Sequence, residues 1–387
     1  MKGIGIFGAT GSIGKSALDI LKRHKSRFRP VVLTCKKNIS ELLKFAEEFK
    51  VPYLVVETEE HARRLKDQLS YSARVLWGDE GLKECAMLEE VDTLVVGISG
   101  IKGIIPAYYG LKTGKRVAIA NKESIIAGGK FLKLAQEEGK GFLIPVDSEH
   151  SSIFQLLEGR QHEVLEIILT ASGGPFYKLP LEKFDEITPE QAIAHPNWKM
   201  GAKISVDSAT LMNKGFEVIE ACFLFNMPPE KVKVVIHPQS LVHGIVKMKD
   251  GSYFFHMSYP DMRLPIAYAL FYPERPSDIG VKEVDLVEIG KLIFEAPDLK
   301  KFPCLKLAYE VIKKGGIYPL ILEAGDEVVV DAFLSRKISF KEIPEYLQKL
   351  IENFKPVKCE LESIEELLSL HKEVVNFTWN LIERSRN

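Results

Sequence analysis

The feature that most constrains the fold is a glycine-rich segment near the start of the chain. Residues 8–14 read Gly-Ala-Thr-Gly-Ser-Ile-Gly, after an apolar run and before a stretch with helical spacing. Glycines at such a turn permit a close backbone approach to a pyrophosphate, and the helix N-terminus offers free N–H groups and partial positive charge. The spacing is GxxGxxG rather than GxGxxG, and a tight turn without a ligand is the alternative. The position between a strand and a helix favours a dinucleotide site.

The end of the second predicted strand indicates which dinucleotide binds. An NAD site places Asp or Glu about twenty residues after the glycines, where the acid binds the ribose 2′-hydroxyl. Here the strand ends at Cys35 and is followed by Lys36, Lys37 and Asn38, with no acid. Two cations suit a 2′-phosphate, so the sequence favours NADP. Two solvated loop lysines are the alternative interpretation.

The first part of the chain, up to about residue 147, alternates short apolar runs with amphipathic stretches such as Glu59–Leu69 and Lys130–Glu138. This alternation predicts an α/β, Rossmann-type domain with a parallel sheet covered by helices on both faces. The predicted strands are Gly3–Phe7, Val31–Thr34, Tyr53–Val56, Arg74–Trp77, Thr93–Gly97, Val117–Ala120 and Phe142–Val146.

The pattern changes after residue 150 to a mixed α+β region. Ser205–Phe225 predicts one long helix with Asp207 or Ser208 as its N-cap. Lys249-Asp250-Gly251 contains the Asp-Gly pair that is typical of a hairpin. The predicted strands of this region are Val164–Thr170, Val232–Ile236, Leu241–Lys247 and Tyr253–Ser258.

The last part of the chain predicts a linker and a helical bundle. Pro273–Pro303 holds four prolines and little periodicity, which indicates a surface linker. Helical patterns then follow with short connections, which indicates a small bundle. They cover Leu305–Lys314, Leu320–Arg336, Phe340–Phe354 and Ile364–Arg384. We therefore divide the chain into a cofactor domain (1–147), a catalytic domain (148–272), a linker (273–303) and a C-terminal bundle (304–387).

Composition and charge exclude several classes of protein. The formal net charge of −1 gives no long-range attraction to nucleic acid or to an anionic membrane. No apolar run reaches the ~18–20 residues of a membrane span. The five cysteines are widely spaced and form no CxxC pair, which argues against a disulfide framework or a zinc site. With an apolar strand starting directly after Met1-Lys2 and no signal peptide pattern, we expect a cytoplasmic protein.

Two groups of acidic residues suggest a metal site. Asp147 and Glu149 follow the last strand of the first domain and, two residues apart, point the same way in an extended segment. Convergent carboxylates suit Mg²⁺ or Mn²⁺, and an exposed acidic loop is the alternative. Asn213 and Glu217 share one face of the predicted long helix. Asn, Lys214 and Gly together are a poor choice for helix stability, which favours a function over an ordinary solvated face.

Other polar segments lie where strands end or where elements are connected. Ser172, followed by two glycines, offers a hydroxyl and backbone N–H groups to a phosphate, as does the Ser208 hydroxyl; a plain turn explains the glycines equally well. Asn121-Lys122-Glu123 would face the cofactor cleft or form an ordinary loop. Residues 195–201, with Trp198 in a polar stretch, suggest a lid over a ligand, unless the indole packs on its own domain.

Taken together, these segments resemble the 1-deoxy-D-xylulose 5-phosphate reductoisomerase family. The resemblance covers nearly the whole chain, and residues 195–221 are its most specific part. It is carried by GATGSIG, ANKES, PVDSEHSS, ASGGPF, HPNWKMGAKISVDSATLMNKGFEVIEA, HPQSLVHG and YPDMRLPIA. The resemblance implies an NADPH- and divalent-metal-dependent rearrangement and reduction of 1-deoxy-D-xylulose 5-phosphate to 2-C-methyl-D-erythritol 4-phosphate in isoprenoid precursor synthesis. It also implies a homodimer.

The resemblance also implies roles for individual residues. The divalent metal is assigned to Asp147, Glu149 and Glu217, and proton transfer to Lys122 and Glu149, without deciding which is the base. The substrate is assigned to Lys122, Ser148, Glu149, Ser172, His195, Trp198, Ser208, Asn213, Lys214 and Glu217. NADPH is assigned to Gly8, Thr10, Gly11, Ser12, Ile13, Lys36, Lys37, Asn38, Asn121, Glu123 and Gly201.

Two departures from the family pattern and two rival functions stand beside this interpretation. Lys36 replaces an expected small residue, and Glu323-Ala324-Gly325-Asp326-Glu327 departs from an Ala-Asn-Glu pattern, which we expect to bear on packing.

One rival is an NADP-dependent semialdehyde dehydrogenase, which needs an activated cysteine. Cys222 is the best candidate for it, although we expect Cys222 in the core. The other rival is an NADP(H)-sensing regulator without catalysis.

Overall fold

The computed structural model describes residues 1–194 and 201–385, which fold into two compact units. Neither unit is a single stretch of chain. The first contains Met1–Ile125, Lys130–Ser151 and Asp261–Lys282, and the second contains Ile126–Gly129, Ser152–Pro260 and Glu283–Asn387.

The first unit is built on a seven-stranded parallel sheet with the order β4-β3-β2-β1-β5-β6-β7. The strand order reverses beside β1, which lies between β2 and β5, and ligands of such sheets bind outside the carboxyl ends of the strands at that point. The predicted α/β class is therefore confirmed. The strands are β1 Lys2–Phe7, β2 Phe28–Thr34, β3 Tyr53–Val56, β4 Arg74–Trp77, β5 Thr93–Val96, β6 Arg116–Ile119 and β7 Phe142–Pro145.

Helices connect these parallel strands, and the apolar faces of the first three pack with buried strands in one core. Thr58 caps α3 by accepting a hydrogen bond from the His61 N–H at 3.2 Å. The helices are α1 Ser12–Arg23, α2 Ile39–Phe49, α3 Glu59–Gln68, α4 Gly78–Met87, α5 Ile104–Lys112 and α6 Lys122–Gly139. Helix α7, Ser148–Leu157, follows the last strand, and its buried Ile153 and Leu157 belong to the core of the second unit. A 3₁₀ turn, Ile101–Gly103, precedes α5.

A distant segment completes the first unit. Helix α11 (Arg263–Phe271) is apolar nearly all round, and its side chains join the same core. The ring of Phe271 packs edge-on against Phe28 at a centroid distance of 4.8 Å. Residues 261–282 thus differ from the predicted division, which shared them between the catalytic domain and the linker, because this apolar helix is buried against the first unit.

The second unit contains a four-stranded sheet with the order β11-β10-β8-β9. Strands β8 and β9 are parallel, while β10 is antiparallel to both β8 and β11. The Asp-Gly turn joins β10 to β11, with Gly251 at a φ of 89°. The strands are β8 Val164–Ala171, β9 Val232–Ile236, β10 Val242–Met248 and β11 Tyr253–Met257.

The predicted long helix over residues 205–225 was wrong, because the chain breaks it in two. Leu211 has a φ of 59°, a left-handed conformation that ends one helix and starts the next. Helix α9 covers Ala202–Ala209 with Gly201 as its N-cap, so the predicted caps Asp207 and Ser208 lie inside it. Helix α10 covers Met212–Phe225 and packs closely on the helix Pro303–Lys314 (α13), where a Cβ on Gly215 would lie 2.6 Å from Ala308 Cβ.

The remaining helices of the second unit lie mainly toward its C-terminal part. Within the predicted linker, Glu295 forms a β-bridge with Ile236, and the α12 turn is short. The helices are α8 Pro189–Ala192, α12 Leu286–Ile289, α13 Pro303–Lys314, α14 Tyr318–Leu334, α15 Glu342–Asn353 and α16 Ile364–Arg384, and the 3₁₀ turns are Gln161–Glu163, Leu181–Glu186 and Pro229–Lys231. In the described parts of the chain, no helix is both long and apolar enough to cross a bilayer.

Candidate active site

The glycine-rich segment forms the turn between β1 and α1 in the first unit. Gly8 has a φ of 99°, and its N–H donates to Thr34 Oγ1 at 2.9 Å. A Cβ on Gly14 would lie 2.5 Å from Ala9 Cα, so packing of the helix on the turn requires glycine there. A Cβ on the exposed Gly11 would meet only Gly8 O, at 3.4 Å. The fold itself therefore does not require glycine at position 11. A ligand that approached the helix N-terminus closely would require it.

The residues after β2 are exposed beside this turn. Lys36 Nζ lies 3.7 Å from a Glu57 carboxylate oxygen, and 72% of the Lys36 side chain is exposed. Asn38 is the N-cap of α2, where its Oδ1 accepts from the Glu41 N–H at 3.2 Å. The two lysines are thus exposed to water at the carboxyl edge of the sheet, while the Asn38 side chain caps α2.

Asn121 and Glu123 hold the loop after β5. The buried Asn121 caps α6, and its Nδ2 donates to Ile98 O at 2.8 Å and to Gly100 O at 3.0 Å. The Gly100 N–H donates to Glu123 Oε1 at 3.0 Å. These hydrogen bonds fix the loop beside the glycine turn, so the two side chains shape the edge at which a dinucleotide would bind.

Lys122 and the segment after β7 form a polar cluster in the same unit. Lys122 Nζ contacts the Asp147 carboxylate, and both side chains are largely buried. Asp147 Oδ1 also accepts from the Glu149 N–H at 3.3 Å, while Ser148 Oγ donates to Glu149 Oε2 at 2.6 Å. The fully buried His150 adds Nδ1 at 3.8 Å from Asp147 Oδ1. The structure therefore joins Lys122, Asp147, Ser148 and Glu149, and adds a histidine that the sequence analysis did not assign.

In the second unit, the turn after β8 lies against the end of α9. Gly173 and Gly174 have φ values of 87° and 68°, and the Gly174 N–H donates to Ser172 Oγ at 3.2 Å. A Cβ on Gly174 would lie 2.6 Å from Ser208 O. Two serines of the predicted phosphate site are therefore carried by segments in direct contact, and only glycine permits that contact.

Three predicted site residues form one contact group on α10. Asn213 Nδ2 donates to Glu217 Oε1 at 2.7 Å, and Lys214 Nζ contacts the other oxygen of that carboxylate. The Lys214 and Glu217 side chains are almost completely buried. Burying two charges is costly even when they are paired, so an ion pair here is poorly explained by stability alone.

A second buried charge cluster escaped the sequence analysis. Lys203 Nζ lies 2.8 Å from Asp207 Oδ2 on its own helix and 2.6 Å from Asp326 Oδ2 on α14. Burial raises the pKa of Asp207 well above its usual value, and the nearby Asp326 charge raises it further, against the opposing effect of Lys203. The signal in the sequence was the i, i+4 spacing of Lys203 and Asp207, but Asp326 is more than a hundred residues away.

Other predicted residues lie outside the described part of the chain, at an exposed helix end or in the core. His195 and Trp198 lie outside the described residues, and Gly201 is the exposed N-cap of α9. Cys222 packs at the edge of the core, and burial raises the pKa of its thiol to about 12. A thiol with a raised pKa is a poor nucleophile, which argues against the semialdehyde dehydrogenase interpretation.

Comparison with known proteins matches the chain along most of its length. Three family models match, described as 1-deoxy-D-xylulose 5-phosphate reductoisomerase (residues 4–129), its C-terminal domain (143–225) and DXP reductoisomerase C-terminal domain (257–377). A 1-deoxy-D-xylulose 5-phosphate reductoisomerase of Caldanaerobacter subterraneus subsp. tengcongensis is 46% identical over 96% of this chain and 97% of its own. The chain belongs to the 1-deoxy-D-xylulose 5-phosphate reductoisomerase family.

Other reductoisomerases support this assignment. The enzyme of Persephonella marina is 44% identical and covers 99% of both chains. A DOX-P reductoisomerase solved with NADPH, fosmidomycin and magnesium has a TM-score of 0.95 and 35% identity over the full length of both chains. The reductoisomerase of Zymomonas mobilis solved with NADPH has a TM-score of 0.92 and 37% identity over 99% of both chains. The predicted family, fold class and enzyme class are therefore confirmed, and the predicted cofactors match those in the solved relatives.

Proposed function

We propose that this chain catalyses the NADPH- and divalent-metal-dependent rearrangement and reduction of 1-deoxy-D-xylulose 5-phosphate to 2-C-methyl-D-erythritol 4-phosphate, a step of the non-mevalonate route to isoprenoid precursors. The observation that carries the proposal is the buried contact group of Asn213, Lys214 and Glu217 on α10. Along one helix, Glu217 provides a carboxylate for a metal and Lys214 provides a cation for a phosphate. Its cost to stability is understandable if the group serves substrate binding.

The proposed metal ligands are Asp147, Glu149 and Glu217. All three offer carboxylate oxygens, the donors that Mg²⁺ and Mn²⁺ prefer, and Glu217 is almost fully buried. A bound ion would act as a Lewis acid that stabilises negative charge on the substrate oxygens. Lysines contact Asp147 and Glu217. Since a divalent ion would supply the compensating charge, Lys122 and Lys214 would then be available to the substrate.

Phosphate binding is assigned to Ser172, Ser208, Asn213 and Lys214. The turn that carries Ser172 rests on the backbone of Ser208, so the two hydroxyl-bearing segments are fixed relative to each other. Lys214 adds a buried cation and Asn213 an amide on the following helix. Holding the phosphate would keep a cleaved fragment in place for recombination.

Proton transfer is assigned to Lys122 and Glu149, and contacts with the sugar backbone to Ser148 and His195. Lys122 Nζ is positioned by Asp147, and Glu149 accepts from Ser148 Oγ at 2.6 Å, so both groups have fixed orientations. Trp198, in the segment proposed as a lid, would exclude water from the reacting atoms. Which of Lys122 and Glu149 is the base is decided by the protonation state that each reaches with substrate bound.

NADPH is assigned to the turn between β1 and α1, through Gly8 and the four residues from Thr10 to Ile13. The exposed helix N-terminus would receive the pyrophosphate. Lys36 and Lys37 would bind the 2′-phosphate, and Asn38 would support them at the start of α2. The remaining contacts are assigned to Asn121, Glu123 and Gly201.

Assembly and location are also part of the proposal. We propose a homodimer that works in the cytoplasm and accepts Mn²⁺ as well as Mg²⁺. All five cysteines are free thiols, which suits a reducing compartment. The assignment of residues 1–147 to the cofactor and of 148–272 to catalysis, followed by a linker (273–303) and a bundle (304–387), is retained as a functional division.

A coupled assay tests this function directly. Purified protein is mixed with NADPH, Mg²⁺ and 1-deoxy-D-xylulose 5-phosphate, and NADPH oxidation is followed with and without a chelator. We expect oxidation that requires substrate and stops when the metal is removed. Protein that binds NADPH but never oxidises it under these conditions would instead support the NADP(H)-sensing regulator.

A further inference from the structure

A second group of metal-ligand side chains lies in the helical part of the second unit, on α14 and α16. Glu323 and Glu327 are one turn apart on α14, and His371 on α16 faces both. His371 Nε2 lies 3.2 Å from Glu323 Oε2 and 3.5 Å from Glu327 Oε2. One ligand atom from each residue falls within 4.8 Å of the other two.

Burial makes this cluster unlike an ordinary surface ion pair. The Glu323 side chain is fully buried, the His371 side chain is 6% exposed, and the Glu327 side chain is 49% exposed. The cluster therefore reaches from the interior to the surface at Glu327, which gives an ion a way in. A buried carboxylate needs a compensating charge, because transfer from water costs it several kcal/mol.

The charges of these three side chains are compatible with a bound divalent cation. Two carboxylates and a protonated imidazole sum to −1. Two carboxylates, a neutral imidazole and a divalent ion sum to zero. The neutral imidazole is also the form of histidine that binds metals.

The spacing of the ligand atoms fits the same interpretation. Zinc bonds to imidazole nitrogen and carboxylate oxygen are about 2.0–2.1 Å long, so two ligands of one tetrahedral ion lie about 3.4 Å apart. The separations of 3.2 and 3.5 Å from His371 Nε2 lie on either side of that value. Ligands on one helix face and on a neighbouring helix are the usual way in which helical bundles build metal sites.

We propose that Glu323, Glu327 and His371 form a second metal site, which binds Zn²⁺ or a similar first-row transition ion and joins α14 to α16. Its imidazole ligand separates it from the all-carboxylate site of the proposed reaction, since nitrogen ligands select transition ions over Mg²⁺. Three protein ligands leave a fourth position for water. The ion acts as a cross-link between two helices and takes no part in turnover.

Cobalt is the probe for the test, because its visible spectrum reports nitrogen ligation and low coordination number. Metal-free protein is titrated with Co²⁺ in a Glu149→Gln background, which weakens the proposed Mg²⁺ site. We expect one Co²⁺ per chain with an intense visible band. Adding Glu327→Gln or His371→Gln should weaken Co²⁺ binding at least tenfold and abolish the band. Glu327 is half exposed, so its variant remains informative if loss of His371 impairs folding.

The matched control is His162→Gln in the same background. His162 also lies beside a glutamate, with Nε2 3.7 Å from Glu163 Oε1, but it is 79% exposed. It should leave the band and the affinity unchanged. Identical Co²⁺ titrations with and without Glu327→Gln, or no visible band in the background protein, would overturn the proposal. NADPH turnover of the single variant Glu327→Gln should equal that of the wild type, which keeps this test separate from that of the proposed reaction.

Discussion

Lys214 contacts Glu217 one turn along α10, with only 4% and 1% of the two side chains exposed. Replacing Lys214 by Met would leave a buried carboxylate without its cation, which typically costs 3–5 kcal/mol. We therefore expect Lys214→Met to lower the free energy of unfolding by about that amount, measured by urea denaturation in the absence of metal. The double variant with Glu217→Gln should recover most of the loss.

The control for this prediction is an exposed pair of the same type. Lys341 Nζ lies 2.5 Å from Asp185 Oδ2 at the surface, and such pairs are worth less than about 1 kcal/mol. Lys341→Met should therefore change stability little. If the Lys214→Met protein were as stable as the wild type, loss of the lysine would not leave an uncompensated charge on the Glu217 carboxylate, and the prediction would be wrong.

Glu217→Gln tests the metal assignment. The amide keeps the shape of the side chain but removes a ligand charge, and a metal contribution of several kcal/mol corresponds to at least about a 100-fold loss of turnover. We expect this loss in NADPH oxidation over a range of Mg²⁺ concentrations, in a protein that still folds by circular dichroism. Turnover equal to that of the wild type would remove Glu217 from the metal site.

Two glycines in the same turn should respond differently to one added methyl group. At Gly14 a Cβ would lie 2.5 Å from Ala9 Cα, so Gly14→Ala should destabilise the first unit. At Gly11 the space is open, so Gly11→Ala should leave the fold intact but weaken NADPH binding. Thermal unfolding and fluorescence titration with NADPH measure the two effects. Normal NADPH affinity of the Gly11 variant would mean that the cofactor does not approach the backbone there.

The selectivity for NADPH is assigned to Lys36 and Lys37. Replacing both by Ala should raise the Kd for NADPH about 10–100-fold, or ~1.4–2.8 kcal/mol, and leave the Kd for NADH nearly unchanged. The double variant Lys44→Ala and Lys66→Ala removes the same charge from exposed positions on α2 and α3 and should have no such selectivity. Equal weakening of NADPH and NADH would mean that the two lysines are only solvated.

Asp207 should make stability depend on pH. Burial raises its pKa in the folded protein, so the folded state retains a proton that the unfolded state has lost. The free energy of unfolding therefore falls as pH rises from about 4, by about 1.4 kcal/mol per pH unit, until the folded pKa is reached. Asp207→Asn should remove this slope, whereas Asp185→Asn, at an exposed ion pair, should keep it. If the free energy of unfolding fell equally steeply with pH in the wild type and in Asp207→Asn, Asp207 would not be the group whose pKa is raised by folding.

The sequence predicted local structure well and long-range structure poorly. Strands such as β3, Tyr53–Val56, were predicted to the residue, because a buried parallel strand is an apolar run with clear ends. The break at Leu211 was missed, since nothing in the local composition marks a left-handed leucine. The packing of α11 on the first unit was missed because its partners lie more than a hundred residues away.

The candidate site shows the same division. Glycine spacing and paired acids along the chain predicted the turn between β1 and α1 and most of the polar clusters. Lys203 with Asp326, and Glu323 with His371, arise from helices that meet only in the folded chain. Sequence spacing within one element carries no information about such pairs.

The path of the chain between the two units limits how this protein can be divided. Phe271 packs on Phe28, and Arg263 Nη1 lies 3.4 Å from Asp19 Oδ2, so a segment made late in synthesis covers the first helix and the start of the second strand. A fragment that stopped at residue 151 would expose that apolar surface to water. The first unit must therefore wait for residue 282 before it can complete its core, and ribosomal synthesis of most of the chain precedes its final folding.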